Sequence, residues 1–122
     1  MNSLSATVQD GRLRLSQNGA TIFDGLVEGG VVTQATVLPS GSLVLVLTEP
    51  AGEAWRPSEN LLAVATDGTV LWRAELPTYG GGDCYVAVSV ADDGSVTAAS
   101  WSGFRVALDT VSGRIVRRMP TK

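Results

Sequence analysis

Between residues 31 and 120 a four-part pattern is written twice. VVTQATVLP, a Ser-Gly turn, SLVLVLT, a loop, LLAVAT, an Asp-Gly turn and TVLWRAELP make the first copy. YVAVSVAD, an Asp-Gly turn, SVTAASW, a Ser-Gly turn, FRVALD, a Thr-Val-Ser-Gly turn and RIVRRMP make the second. Short runs separated by Gly-containing turns are strands with antiparallel neighbours, because connections this short cannot carry a parallel crossover. Each copy predicts a four-stranded meander finished by a proline. A third, degenerate stretch precedes them: LSATVQ, Asp10-Gly11, RLRLSQ, Asn18-Gly19 and ATIFDGLV. Asp-Gly and Asn-Gly suit two-residue type I′ hairpins, in which both central residues take positive φ. The expectation is an all-β, antiparallel up-and-down meander of about ten strands. They fall in two to three units, 4–27, 31–77 and 85–120, within one domain spanning 1–122.

Alternation orients the strands. In TVLWRAEL, Val70, Trp72, Ala74 and Leu76 are expected on one face, against Thr69, Arg73 and Glu75. In FRVALD, Phe104, Val106 and Leu108 oppose Arg105 and Asp109; in YVAVSV, Val86, Val88 and Val90 oppose Ala87 and Ser89. SLVLVLT does not alternate, which predicts a central strand covered on both faces. Helical spacing is sustained nowhere.

At 122 residues the chain can bury a core without disulfides or metals. A net charge of −3 speaks against a nucleic-acid binder held by phosphate contacts. Arg117 and Arg118 are neighbours on one strand, so they point to opposite faces rather than forming a basic patch. The first residues have neither the basic nor the apolar region of a signal peptide, and LVLVL is too short to span a bilayer as a helix. Cys84 is alone. These features predict a cytoplasmic protein without a membrane partner.

Parity sorts the connections, since successive turns of a meander alternate between two ends. The tight turns at Ser40-Gly41, Asp67-Gly68, Asp93-Gly94 and Ser112-Gly113 fall at one end. The long loop 49–60, the loop 77–84 and the Ser102-Gly103 turn fall at the other, and loops of that kind carry function more often than tight turns. Trp55 lies in AGEAWRPSE beside Arg56, a pairing of two residue types enriched at interface hot spots. It suits either a contact residue or a cover for an open sheet edge. Trp72 is expected in the core, and Trp101 either in the core or on the rim. The candidate binding residues are Trp55, Arg56, Tyr79, Asp83 and Trp101.

No catalytic set, metal site or cofactor site is expected. Without histidine the chain lacks the usual general base, the common metal ligand and any Ser-His or Cys-His pair. Cys84 has no Lys, Arg or His beside it to lower its pKa and is expected as a buried small hydrophobe. Asp92-Asp93-Gly94 lacks calcium-loop spacing and reads as an ordinary turn. The glycines 80–82 lack the phosphate-loop pattern and lead into a strand.

NLLAVATDGTVLWRAELP resembles the strand pair of quinoprotein-type and WD40-like propeller repeats, and FRVALDTVSGRIV resembles their ALD-x-x-TG-x-φ segment. The whole chain also resembles a group of small uncharacterised bacterial proteins. They share an early DGRL hairpin, a NLLAV-DG-VLW middle, and a WSG-φRV-LD-x-x-SGRI end closing in Thr-Lys. These resemblances imply a propeller-like fold in a bacterial protein and bring no activity with them. Closed propellers have four to eight blades, so three units imply that copies assemble, or that the meander folds onto itself as a sandwich or small barrel. Two functions fit. The favoured one is a non-enzymatic protein-interaction or scaffold module meeting its partner through the long-loop end. The other is a small-ligand binder or carboxylate-based enzyme using Glu53, Glu59 and Asp83 with Tyr79 and Arg56. A homodimer is expected, on the grounds that LVLVL and the apolar face of TVLWRAEL could cover a second copy.

Overall fold

The structure is a computed structural model that describes residues 4–50, 52–53, 55–79 and 81–120. Among these described residues, eleven strands form three antiparallel meanders. Sheet one holds β1 (Leu4–Gln9), β2 (Arg12–Gln17) and β3 (Ala20–Gly25). Sheet two holds β4 (Val32–Val37), β5 (Val44–Thr48), β6 (Leu61–Val64) and β7 (Val70–Arg73). Sheet three holds β8 (Tyr85–Val90), β9 (Val96–Ser100), β10 (Phe104–Leu108) and β11 (Ile115–Pro120). No helix occurs among the described residues, so none there is long and apolar enough to cross a membrane. Gly80 and the closing Thr121-Lys122 lie outside the described residues.

Sheet two is the middle of a stack. Val44, Val46, Leu62 and Val64 face Leu13 and Leu15 of sheet one. Leu45, Leu47, Leu61 and Ala63 face Val88, Val96, Ala98, Val106 and Leu108 of sheet three. This is why LVLVL does not alternate: each side of β5 is an interior. The two segments expected to offer apolar surface to a second copy are therefore consumed within the chain. Main-chain and side-chain bonds tie the stack at its seams. Val32 N–H donates to Gly11 O at 2.9 Å between sheets one and two, and the Gln34 amide donates to Val88 O at 3.0 Å between two and three.

The two-residue hairpins take the predicted conformation: φ is 54° and 75° at Asp10-Gly11, and 52° and 84° at Asn18-Gly19. The Asp-Gly turns after β6 and β8 are closed locally, with Asp67 accepting from Thr69 N–H and Asp93 from Ser95 N–H, each at 2.9 Å.

Two of the face assignments need correction, and bulges are the cause. On β7 the pairing steps from Ala63–Trp72 to Val64–Val70, leaving Leu71 extra and exposed. Val70 thus packs toward sheet one while Trp72 packs toward sheet three. On β8 the pairing steps from Tyr85–Ser100 to Ala87–Ala99, so Val86 points to solvent and Tyr85 takes the interior position. Phe104, Val106 and Leu108 share the inward face of β10, as expected.

Candidate functional site

One buried carboxylate organises the loop-bearing end. Asp83 is 1% exposed, and its Oδ1 accepts from Cys84 N–H at 2.9 Å and Ser102 N–H at 3.0 Å. Its Oδ2 accepts from the Ser102 hydroxyl at 2.9 Å, and its main-chain oxygen accepts from Ser58 N–H at 2.9 Å. Three connections, 49–60, 77–84 and 101–103, therefore meet at one residue. Asp83 was expected as a contact residue; its burial and its spent oxygens make it the support beneath the contact surface instead.

Asn60 is a second support, marked in the sequence only as one polar residue abutting an apolar run. It is buried, its amide donates to Thr48 O at 2.8 Å and Tyr85 O at 2.9 Å, and its oxygen accepts from Tyr85 N–H at 2.8 Å. Sheets two and three are thereby stitched at the base of the long loop. The Tyr85 hydroxyl donates to Glu75 O, and burial pushes that phenol well above its usual range.

On these supports stand the exposed aromatics. Trp101 N–H donates to Cys84 O at 2.8 Å, so the backbone beneath Trp101 is fixed while the residue is 72% exposed. An open cleft of about 420 Å³ runs between this turn and the long loop, lined by Pro50, Glu53, Arg56, Cys84 and Trp101 together with Gly52 and Gly82. Trp55, 63% exposed, carries the Arg56 guanidinium over its ring at 4.8 Å from the centroid. Neither Trp55 nor Trp101 is a core residue, whereas Trp72 packs against the core and donates from Nε1 to Thr110 O at 3.0 Å.

Tyr79 is half-exposed and stands apart from the cleft. Its hydroxyl donates to Glu59 at 2.6 Å and accepts from Leu76 N–H at 3.2 Å; desolvation and the Glu59 carboxylate raise its pKa. Glu59 belongs to a second opening on the far side of the long loop, with Glu28, Glu49 and Arg73; there the guanidinium of Arg73 holds Glu28 below its usual range. The structure thus joins Arg56 and Trp101 around one cleft, with Trp55 held to it through its stacking on Arg56, and leaves Tyr79 and the buried Asp83 out of the lining. Of the carboxylates weighed for acid–base work, only Glu53 lines that cleft.

Cys84 is buried at the cleft floor, and desolvation together with neighbouring Asp83 raises its thiol pKa. The thiol form is favoured there, which makes the residue a weak nucleophile. No group of residues suited to holding a metal ion occurs among the described residues.

The architecture has solved counterparts. BamB from Moraxella catarrhalis is 21% identical with a TM-score of 0.59, over 95% of this chain and 32% of that one. The WD40 β-propeller domain of Doa1 is 16% identical with a TM-score of 0.61, over 96% and 36%. The computationally designed Ika4 protein is 15% identical with a TM-score of 0.59, over 97% and 66%. The chain thus spans about a third of the first two and 66% of the third, and the likeness is one of fold. No curated protein matches the sequence. Residues 30–119 match the model of a family described as a domain of unknown function, DUF7957, and the chain belongs to that family.

Proposed function

We propose that the chain is a non-enzymatic protein-interaction module that meets its partner at the loop end, around the cleft between Trp101 and Arg56. The observation that carries this is the exposure of two tryptophans over buried, hydrogen-bonded supports: Trp101 lines an open cleft, and Trp55 stacks with Arg56, which lines the same cleft. Large apolar residues held rigidly in solvent lose little conformational entropy on binding and are the usual anchors of interfaces. Arg56, stacked on Trp55, offers planar donors to a carboxylate or main-chain carbonyl of the partner. The propeller-like fold suits this role, since it holds loops on a stiff set of sheets.

The test is capture from the native host with the purified chain as bait, repeated with Trp101→Ala, Arg56→Ala and Val111→Ala. Val111 is 87% exposed in the tight turn at the opposite end and serves as the control. A partner retained by the parent and by Val111→Ala, and weakened about 30-fold or more by Trp101→Ala, supports the proposal. A partner lost only with Val111→Ala would place recognition at the other end.

A further inference from the structure

The bulges put the three sheets in a common register. Each outermost strand carries one extra residue, Ile22 on β3, Leu71 on β7 and Val116 on β11, at the same distance after a turn glycine, Gly19, Gly68 or Gly113. Matching from these points makes β1 to β3 the counterparts of β5 to β7 and β9 to β11. Equivalent positions can then be compared across the stack.

On the side that faces the next sheet, sheet one carries Leu13, Leu15 and Phe23, and sheet two carries Leu61, Ala63 and Trp72. Sheet three carries Arg105, Ala107 and Arg117 at the same places, with Thr97 and Ala99 where sheet two has Leu45 and Leu47. On the opposite side, sheet two carries Val46, Leu62 and Val64 and sheet three carries Ala98, Val106 and Leu108. Sheet one has Thr7, Arg14 and Ser16 there, and Arg12 and Arg14 pair with Asp24 at 3.3 Å and 3.1 Å. Each of these positions, apolar inside the stack, is small, polar or charged on the corresponding end face, while the bulge residues Ile22 and Val116, and Val86 on β8, remain exposed apolar residues.

The edge strands β3, β7 and β11 share a separate feature. A bulge in β3, β7 and β11 breaks the regular pairing of each of these edge strands with its neighbour, which bends and twists the edge, and β11 adds two arginines. The outward face of sheet three carries the positive charges of Arg105 and Arg117, whereas on that of sheet one Arg12 and Arg14 are offset by Asp24 and the adjacent Asp10.

We infer that the stack terminates itself: its two outward sheet faces are caps, like the polar outer faces of terminal repeats in solenoids, and the folded chain is a monomer that presents its loop end once. No further sheet docks on either face, from a second copy or from another chain. This replaces the dimer expected from apolar remnants.

Light scattering from micromolar to high micromolar concentration tests it on the parent and on two reversals. Arg105→Leu/Arg117→Trp gives sheet three the residues of sheet two at those two positions, and Thr7→Val/Arg14→Leu does the same on the opposite face of sheet one. The parent is expected at the mass of one chain, and each reversal that folds, judged by its cooperative unfolding, is expected to associate. A parent particle larger than one chain overturns the inference, and so does a folded reversal of either face that stays at single-chain mass. Should neither reversal fold, the parent's mass alone decides.

Discussion

The Trp72 ring lies over Gly113 so closely that a Cβ there would sit 2.3 Å from Cε3, and Phe23 covers Gly68 in the same way, at 2.2 Å. Phe23 and Trp72 hold equivalent positions on consecutive sheets, and each clamps the turn of the sheet that follows. Gly19 is the third member of the glycine set and has nothing above it. All three have positive φ, so alanine at any of them carries a left-handed backbone penalty of about 1 kcal/mol. Gly68→Ala and Gly113→Ala must also displace an aromatic ring, a further cost of about 1–3 kcal/mol. Urea unfolding should therefore rank both well below Gly19→Ala in stability. Equal losses at all three positions would show that the rings do not clamp.

Asn60→Ala leaves the Thr48 and Tyr85 carbonyls and the Tyr85 N–H without the side chain that satisfies them. A loss of about 2–4 kcal/mol is expected, from more than one stranded buried group. Gln34→Ala removes a single part-buried bond and should cost about 1 kcal/mol. Similar midpoints for the two variants would contradict the stitching role.

Asp83→Asn preserves an oxygen for Cys84 and Ser102 N–H and should be mild, whereas Asp83→Ala removes all three side-chain bonds and should cost about 2–3 kcal/mol. Its local signature is faster hydrogen exchange at the Trp101 and Ser102 amides, because the turn that displays Trp101 loses its support. Unchanged exchange in Asp83→Ala would mean that the turn stands without the carboxylate.

The meander was legible because turn chemistry is local: Asp10-Gly11 and Asn18-Gly19 need no partner to favour positive φ. The two-sided burial of β5 was legible because it removes alternation altogether. What alternation could not show was where a bulge shifts the phase, and so Val86 and Val70 were assigned to faces they do not occupy. That Trp55 and Trp101 were worth weighing as contact residues followed from their place beside loop residues, which left open whether either was exposed. The burial of Asp83 and Asn60 did not, since a polar residue next to a strand is written identically whether it meets water or three backbone groups.

The pH profile follows from groups shifted in opposite senses. Asp24 is lowered chiefly by Arg14, Glu28 by Arg73, Asp67 by Thr69 and Asp93 by Ser95. What these carboxylates contribute is present above the unfolded values near about 4 and is lost as pH falls through the lower folded values. Burial raises Cys84 and Tyr85, so their contribution is present below the unfolded values of about 8.5 and 10 and is lost as pH rises past them. With no histidine, no side chain of ordinary pKa titrates in between. Urea midpoints measured from pH 3 to 10 should show a plateau from about 5 to 8 that falls on both sides. A slope inside the plateau would expose a group whose environment is misassigned.

Hydrogen exchange of the chain with and without a captured partner tests the loop-end assignment most directly. Protection is expected in 49–60, 81–84 and 101–103, with no change in the tight turns at 38–43, 65–69, 91–95 and 109–114. Protection confined to those turns, or to the outward faces of β1 to β3 or β8 to β11, would contradict it.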